Sequence, residues 1–431
     1  MANDTATIKA TSEGLFIPWS LLPKKLLRRL QRERRFESFS SHFFSCFAVA
    51  FERETMFSLY PRVIVPTAFL AVSVLFCPAL AEETDERGVQ KVEGIERVVA
   101  VEGQGYFPVM IRLQDGSLGA VVRGGAPHIG VKGRLDWVQS RDGGRSWAKP
   151  TLIVDSRWDD RNPAVGQMVD RTIVVAYAEA STYDEQGKWD TSAGSYDLFY
   201  VTSRDGGRTW SEKKNLYSGP IRNGSPFGRI IHDKKGTALM AIYGEANPSY
   251  AGPEKLQGNA GDYSGLIHSK DNGRTWSDFS LILAGHNEAS LQLLPDGRLI
   301  AAVRTEDGAL SITESEDDGY HWSAPRRLTK RGQHPADLCL LSGGALLMTY
   351  GNRLQPYGVG CVVSRDKGKT WDYEHRKMLA WDSENTDCGY SSTLQLPDDT
   401  ILTMYYSVGT RSLPSVAQAI CLRYTAKQLG L

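Results

Sequence analysis

Cysteine is scarce, at 6 in 431 residues. Cys46 and Cys77 lie ahead of any strand pattern, and Cys339, Cys361, Cys388 and Cys421 match no zinc-ligand spacing. Thiols so thinly spread do not form a disulfide framework; they leave room for one or two bridges and point to neither a metal site nor a nucleophile. An excess of charge of one sign is also missing: 50 Lys and Arg balance 50 Asp and Glu. No global field therefore draws the protein to nucleic acid or to an anionic membrane surface. Glycine (42), tyrosine (18) and tryptophan (10) are plentiful, which suits short strands, tight turns and an aromatic-lined cleft.

Long hydrophobic runs are absent except near the N-terminus. From Met56 the chain carries Arg62, an apolar run from Val63 to Leu80, and Ala79-Leu80-Ala81 ahead of Glu82 and Glu83. This pattern predicts a secretory signal over 56–81 cleaved after Ala81, and so a secreted or periplasmic protein; Pro66, Pro78 and the cleavage site argue against a retained membrane span. Residues 1–55, with Lys24, Lys25, Arg28 and Arg29, show no strand pattern and read as an unstructured or misassigned extension.

The strongest signal is an internal repeat. Ser140-Arg-Asp142-Gly-Gly144-Arg-Ser-Trp147 recurs from Ser203 to Trp210, Ser269 to Trp276, Ser315 to Trp322 and Ser364 to Trp371. The aspartate suits acceptance of turn amides, the glycine a positive φ, and the tryptophan the space between sheets. These aspartates are thus structural. Between the repeats lie apolar strand pairs around Asp-Gly or Gly-Gly turns: Val109–Val122, Val165–Tyr177, Arg229–Tyr243, Leu291–Val303, Leu338–Tyr350 and Ser392–Tyr405. Each predicts an inner hairpin, and Glu93–Val101 is placed to supply a closing strand. The expectation is an all-β, six-bladed β-propeller over 92–425.

In such a ring the residues flanking each inner hairpin meet at one mouth. They include Tyr106, Arg123, Asp159, Asp160, Arg161, Glu179, Tyr243, Glu288, Arg304, His334, Asp337, Arg353, Asp387, Tyr390 and Tyr406. Arginines and carboxylates converging on one axis mark recognition of a charged ligand.

The repeat resembles the Asp-box of the sialidase superfamily, and the likeness runs over most of 92–425. It implies a glycan substrate ending in an acidic sugar, a tyrosine nucleophile with a partner glutamate, an acid/base aspartate and three arginines on the substrate carboxylate, with no cofactor. Glu288, in Asn-Glu-Ala-Ser, resembles the partner glutamate, and Tyr390, in Cys-Gly-Tyr-Ser-Ser, the nucleophile. Arg304 and Arg353 resemble the second and third arginines. A phenol suits this task because a carboxylate at the anomeric carbon repels an anionic nucleophile.

Two positions depart from the pattern. Tyr106-Phe107 stands where the first arginine is expected, leaving Arg123 or Arg161 to replace it. The loop Gly124–Gly133 holds no carboxylate, leaving His128, or Asp160 from the next blade, as acid/base. Tyr106 and Asp337 complete the substrate-lining set. Two alternatives stand beside this reading: a glycoside hydrolase or lyase using paired carboxylates such as Glu288 with Asp160 or Asp337, and a non-catalytic carbohydrate-binding propeller.

Overall fold

Asp-Gly turns between apolar runs close antiparallel hairpins, as at Asp115-Gly116, where Asp115 Oδ1 accepts the Ser117 amide at 2.9 Å and Gly116 takes φ +86°. The computed structural model describes residues 86, 88–258 and 261–431; the expected signal at 56–81, the stretch 1–55, Cys46 and Cys77 lie outside the described residues. The architecture is all-β with a propeller-like arrangement of meandering antiparallel strands.

Among the described residues there are five hydrogen-bonded sheets. The first runs Tyr106–Arg112, Leu118–Gly124, Arg134–Ser140, Thr151–Val154. The second has eight strands, because two meanders are joined where Asp159–Gln167 pairs in parallel with Ile221–His232 through Gly228↔Ala164 and Arg229↔Val165. Gly166 permits this approach: a Cβ there would lie 2.7 Å from the Ile230 carbonyl oxygen. The expectation of separate four-stranded blades is thus modified at this seam. His286–Leu293 and Gln333–Leu340 begin the next two sheets. In the last, Cys388–Gln395, Thr400–Val408 and Ala417–Thr425 are completed by Glu96–Glu102, which pairs antiparallel with Ala417–Thr425. The start of the described chain therefore closes the sheet formed by its end.

The eight-residue repeats form nearly identical turns. In the first, Asp142 Oδ1 accepts the amides of Arg145 at 3.0 Å and Ser146 at 2.9 Å, and Ser140 Oγ accepts the Gly144 amide at 2.9 Å. The Ser146 hydroxyl and these amides hold the Asp142 carboxyl down at about 2 against a small burial penalty. Apolar faces of neighbouring sheets pack together: Val109, Val121 and Trp137 of the first bury against Val165, Val175 and Tyr177 of the second. Cys339, Cys361, Cys388 and Cys421 are buried free thiols within such layers, so none of the bridges left open by the sequence forms among them.

One irregularity recurs and builds the mouth. Each strand that opens an inner hairpin slips register shortly after it starts: Tyr106/Val109, Arg161/Ala164, Arg222/Ser225, His286/Ala289, Gln333/Ala336 and Gly389/Ser392. Such bulges re-aim side chains. Phe107, Asn162, Asn223 and Tyr390 sit in these slips at φ +48° to +53°, a backbone state that costs about 1–3 kcal/mol in non-glycine residues and concentrates at functional sites.

Candidate active site

Tyr390 lies in the last of these slips, and its phenol donates a hydrogen bond to Glu288 Oε1 at 2.6 Å. Glu288 comes from the equivalent slip at the start of His286–Leu293 and is only 3% exposed. Its other oxygen, Oε2, accepts from Arg304 Nη1 at 3.0 Å, Arg304 being in the paired strand Leu299–Thr305. Arg353 places its guanidinium carbon 5.9 Å from the centre of the Tyr390 ring. Two glycines allow this: Gly389 and Gly351 meet so closely that a Cβ on Gly389 would lie 2.6 Å from Gly351 Cα. Tyr390 directly follows one, and Arg353 stands two residues after the other.

The electrostatics of the group follow from burial. Burial, reinforced by the Glu288 charge and only partly offset by Arg304 and Arg353, pushes the Tyr390 phenol well above its ordinary value. It is a neutral phenol whose proton already points at a carboxylate. Burial is the largest influence on Arg304 and opposes its charge, but the charge and hydrogen bond of Glu288, together with the neighbouring Tyr390 and Tyr243, more than offset it and hold the guanidinium firmly protonated. His334 is kept neutral by burial and by the nearby Arg304 and Arg353, so it adds no third positive charge. Among the described residues the Arg353 side chain has neither an ion pair nor a hydrogen bond, and Arg304 Nε and Arg353 Nε are buried donors without acceptors. Unspent guanidinium donors in a half-buried mouth form an anion site.

Aromatic side chains wall this mouth. The Phe107 ring lies 4.8 Å from that of Tyr390 and 4.9 Å from His128, and the Arg161 guanidinium stands 5.5 Å from its centre. Asn162 donates to Ser225 Oγ at 3.0 Å and to Tyr243 Oη at 3.2 Å. A narrow pit runs down the axis, lined by Phe107, Asn162, Phe227, Ala336 and Tyr390. No group of three or more His, Cys, Asp or Glu able to hold a metal occurs among the described residues, nor any helix long and apolar enough to cross a membrane.

The BNR repeat-like domain family matches residues 120–404. The chain belongs to the BNR repeat-like family. A sialidase of Bacteroides fragilis is 22% identical over 305 residues, covering 62% of this chain and 53% of that protein. The chain spans about half the length of the curated relatives it matches, all of them sialidases. Among solved structures, a protein of unknown function from Dyadobacter fermentans superposes with TM-score 0.64 at 24% identity, covering 78% of this chain and 99% of that one. The Hadza microbial sialidase Hz136 follows with TM-score 0.55 at 20% identity, covering 75% and 66%. The family match and the curated relatives support the sialidase/BNR superfamily assignment, and the solved structures agree with the fold.

Within this BNR repeat-like protein the expected site residues separate into two groups. Tyr390, Glu288, Arg304 and Arg353 converge; Arg161 and His128 reach the same wall from either side of Phe107. The other four are corrected. Arg123 is fully buried, and its five N–H groups are spent on Asp159 Oδ1 (2.6 and 2.8 Å) and on the carbonyls of Ala126, Pro127 and Gly130. It pins the loop that carries His128 and has no donor left for a ligand.

Asp160 points to the opposite face of its strand from Asp159 and Arg161, where Ser156 donates twice to its carboxyl. Burial pushes it up to about 7, the Ser156 bonds opposing and Glu179 assisting. Asp337 is consumed by Ser290 Oγ at 2.8 Å, Arg229 Nη1 at 2.7 Å and the Thr393 amide at 2.5 Å, so it ties three strands together at the axis. Tyr106 packs behind the wall between Arg123 and Tyr406. Phe107 showed in the sequence only as a departure from the expected arginine, and Asn162 left no signal of its own; the shared register slips reveal both as wall residues.

Proposed function

We propose that this protein is an exo-glycosidase of sialidase type that releases a terminal sialic acid or related acidic sugar by a retaining mechanism. One arrangement carries the reading: the phenol of Tyr390 on Glu288 at 2.6 Å, with Arg304 on the same carboxylate and the unpartnered Arg353 over the phenol ring. The substrate carboxylate binds to Arg304 and Arg353, each charge-assisted contact contributing about 1.5–3 kcal/mol. Tyr390 Oη then attacks the anomeric carbon while Glu288 takes its proton, so no anion has to approach the acidic sugar. Arg161 supplies a third positive charge behind Phe107, where the family pattern calls for an arginine.

The ring that holds the site is counted as six blades, the eight-stranded sheet being two of them joined at Gly166. The apolar leader over 56–81 directs the protein out of the cytoplasm. Release of fluorophore from an aryl sialoside, lost in Tyr390→Phe, supports the reading. Turnover of a neutral glycoside or a uronide but not of sialosides replaces it with the paired-carboxylate alternative.

A further inference from the structure

We infer that His128, held by Asp387, is the general acid and base of this site; the inference rests on the sialidase-type reading and specifies its proton donor. The loop Gly124–Gly133 brings His128 against Phe107 on the wall of the Tyr390 mouth, the two ring centres 4.9 Å apart, and His128 is the one imidazole in that loop. Its Nδ1–H donates to Asp387 Oδ1 at 2.5 Å, and Tyr406 Oη donates to the same oxygen at 2.7 Å. Asp387 therefore serves as an anionic acceptor twice over. Burial opposes that charge, but His128, Tyr406 and the Arg353 field hold the carboxyl below its usual range, so it is not itself the acid.

With Nδ1 engaged, Nε2 is the nitrogen left to face a ligand, and it makes no hydrogen bond among the described residues. This is the geometry in which a carboxylate fixes the tautomer and orientation of a catalytic imidazole.

The loop is rigidly placed. Arg123 Nη1 donates to the Pro127 carbonyl at 2.7 Å, one residue before His128, and the Gly130 amide donates to Tyr183 Oη at 3.0 Å. Tyr183 in turn donates to Asp159 Oδ2 at 2.6 Å, and Asp159 holds Arg123. The groups facing the imidazole are Asp387, Tyr406, Tyr106 and Phe107; Phe107 and Tyr406 each contact both the imidazole and the Tyr390 ring.

In the first half-reaction the bond from Tyr390 Oη to the anomeric carbon forms and the glycosidic C–O bond breaks. Glu288 receives the phenolic proton, and imidazolium Nε2–H protonates the departing oxygen. In the second, neutral Nε2 takes a proton from water as the water oxygen bonds to the anomeric carbon, and Tyr390 leaves and recovers its proton from Glu288. The sum is hydrolysis, with His128 and Glu288 restored.

The test compares two substrates on the full chain: sialyllactose, whose leaving oxygen needs a proton, and a nitrophenyl sialoside, whose leaving group does not. In His128→Ala, kcat/KM for sialyllactose is expected to fall about 10²- to 10⁴-fold and that for the aryl sialoside far less. Azide should restore turnover of the aryl sialoside by attacking the glycosyl-tyrosine, yielding the glycosyl azide. Asp387 is a positioning residue: Asp387→Asn should move the alkaline limb of the kcat/KM profile to lower pH, because the amide no longer stabilises a protonated ring. Equal losses on both substrates, no azide effect and an unmoved pH profile in folded variants overturn the inference. A wild-type chain that cleaves neither sialoside overturns the sialidase-type reading, and this inference with it.

Discussion

Tyr390 Oη donates to Glu288 Oε1 at 2.6 Å across 102 residues of sequence. Since burial and the Glu288 charge hold the phenol well above its ordinary value, the proton can leave only as the new bond forms, and only to that carboxylate. Tyr390→Phe is therefore expected to abolish sialoside release. Glu288→Gln, which keeps shape but accepts no proton, should lower kcat by about 10²- to 10⁴-fold. Steady-state fluorophore release checks both, and an active Tyr390→Phe enzyme would remove tyrosine from the mechanism.

Arg304 and Arg353 should separate kinetically. The Arg353 side chain makes no hydrogen bond or ion pair among the described residues, so Arg353→Ala should act chiefly on KM, raising it roughly 10- to 150-fold for the loss of a charge-assisted contact of about 1.5–3 kcal/mol. Arg304 also holds Glu288 Oε2 at 3.0 Å. Arg304→Ala should therefore depress kcat as well, and identical profiles for the two variants would contradict the arrangement.

Asp160 predicts a pH dependence of stability rather than of chemistry. Its folded value is pushed up to about 7 by burial, against roughly 3.9 in an unfolded chain. The folded state thus binds the proton more tightly, so stability falls as pH rises from about 4 to about 7, and the full penalty, on the order of 4 kcal/mol, applies above that. Asp160→Asn should melt higher than wild type at about pH 8, with the gap narrowing through about pH 5 and closing near about pH 4, and should retain sialoside release. Thermal melts at the two pH values, with parallel assays, decide this.

The Asp-box glycines make a test of the fold. Gly207, at φ +88°, would place a Cβ 2.3 Å from Trp137 Nε1, whereas Gly206, at φ +77°, has nothing within 4 Å. Gly206→Ala should cost only the backbone strain, about 1–3 kcal/mol. Gly207→Ala adds a clash with the neighbouring sheet of about 1–3 kcal/mol more. Denaturant midpoints should rank wild type, then Gly206→Ala, then Gly207→Ala.

How far each feature could be read in the sequence followed from how far apart its partners lie. The Asp-box closes its turn-defining hydrogen bonds, those accepted by its serine and aspartate side chains, within eight residues, so Asp142, Gly144 and Trp147 announce their turn wherever they recur. The inner hairpins are equally local, and placing Tyr390, Glu288, Arg304 and Arg353 at hairpin ends followed from the topology. The errors fell where a side chain's direction was at stake. Asp159 and Asp160 are adjacent and chemically alike, yet strand alternation sends one to Arg123 and the other to Ser156. Arg123 looked like a ligand contact until Asp159, 36 residues away, was found bonded to its guanidinium.

The sequence alone therefore determined an all-β chain of repeated hairpins and Asp-box turns, because those signals depend on bonds between near neighbours. Tertiary structure decided which polar groups are spent on the framework and which remain for a ligand. That choice depends on bulges at strand starts and on glycines such as Gly351 and Gly389 meeting from separate sheets, contacts whose energy exists only once distant segments are packed together.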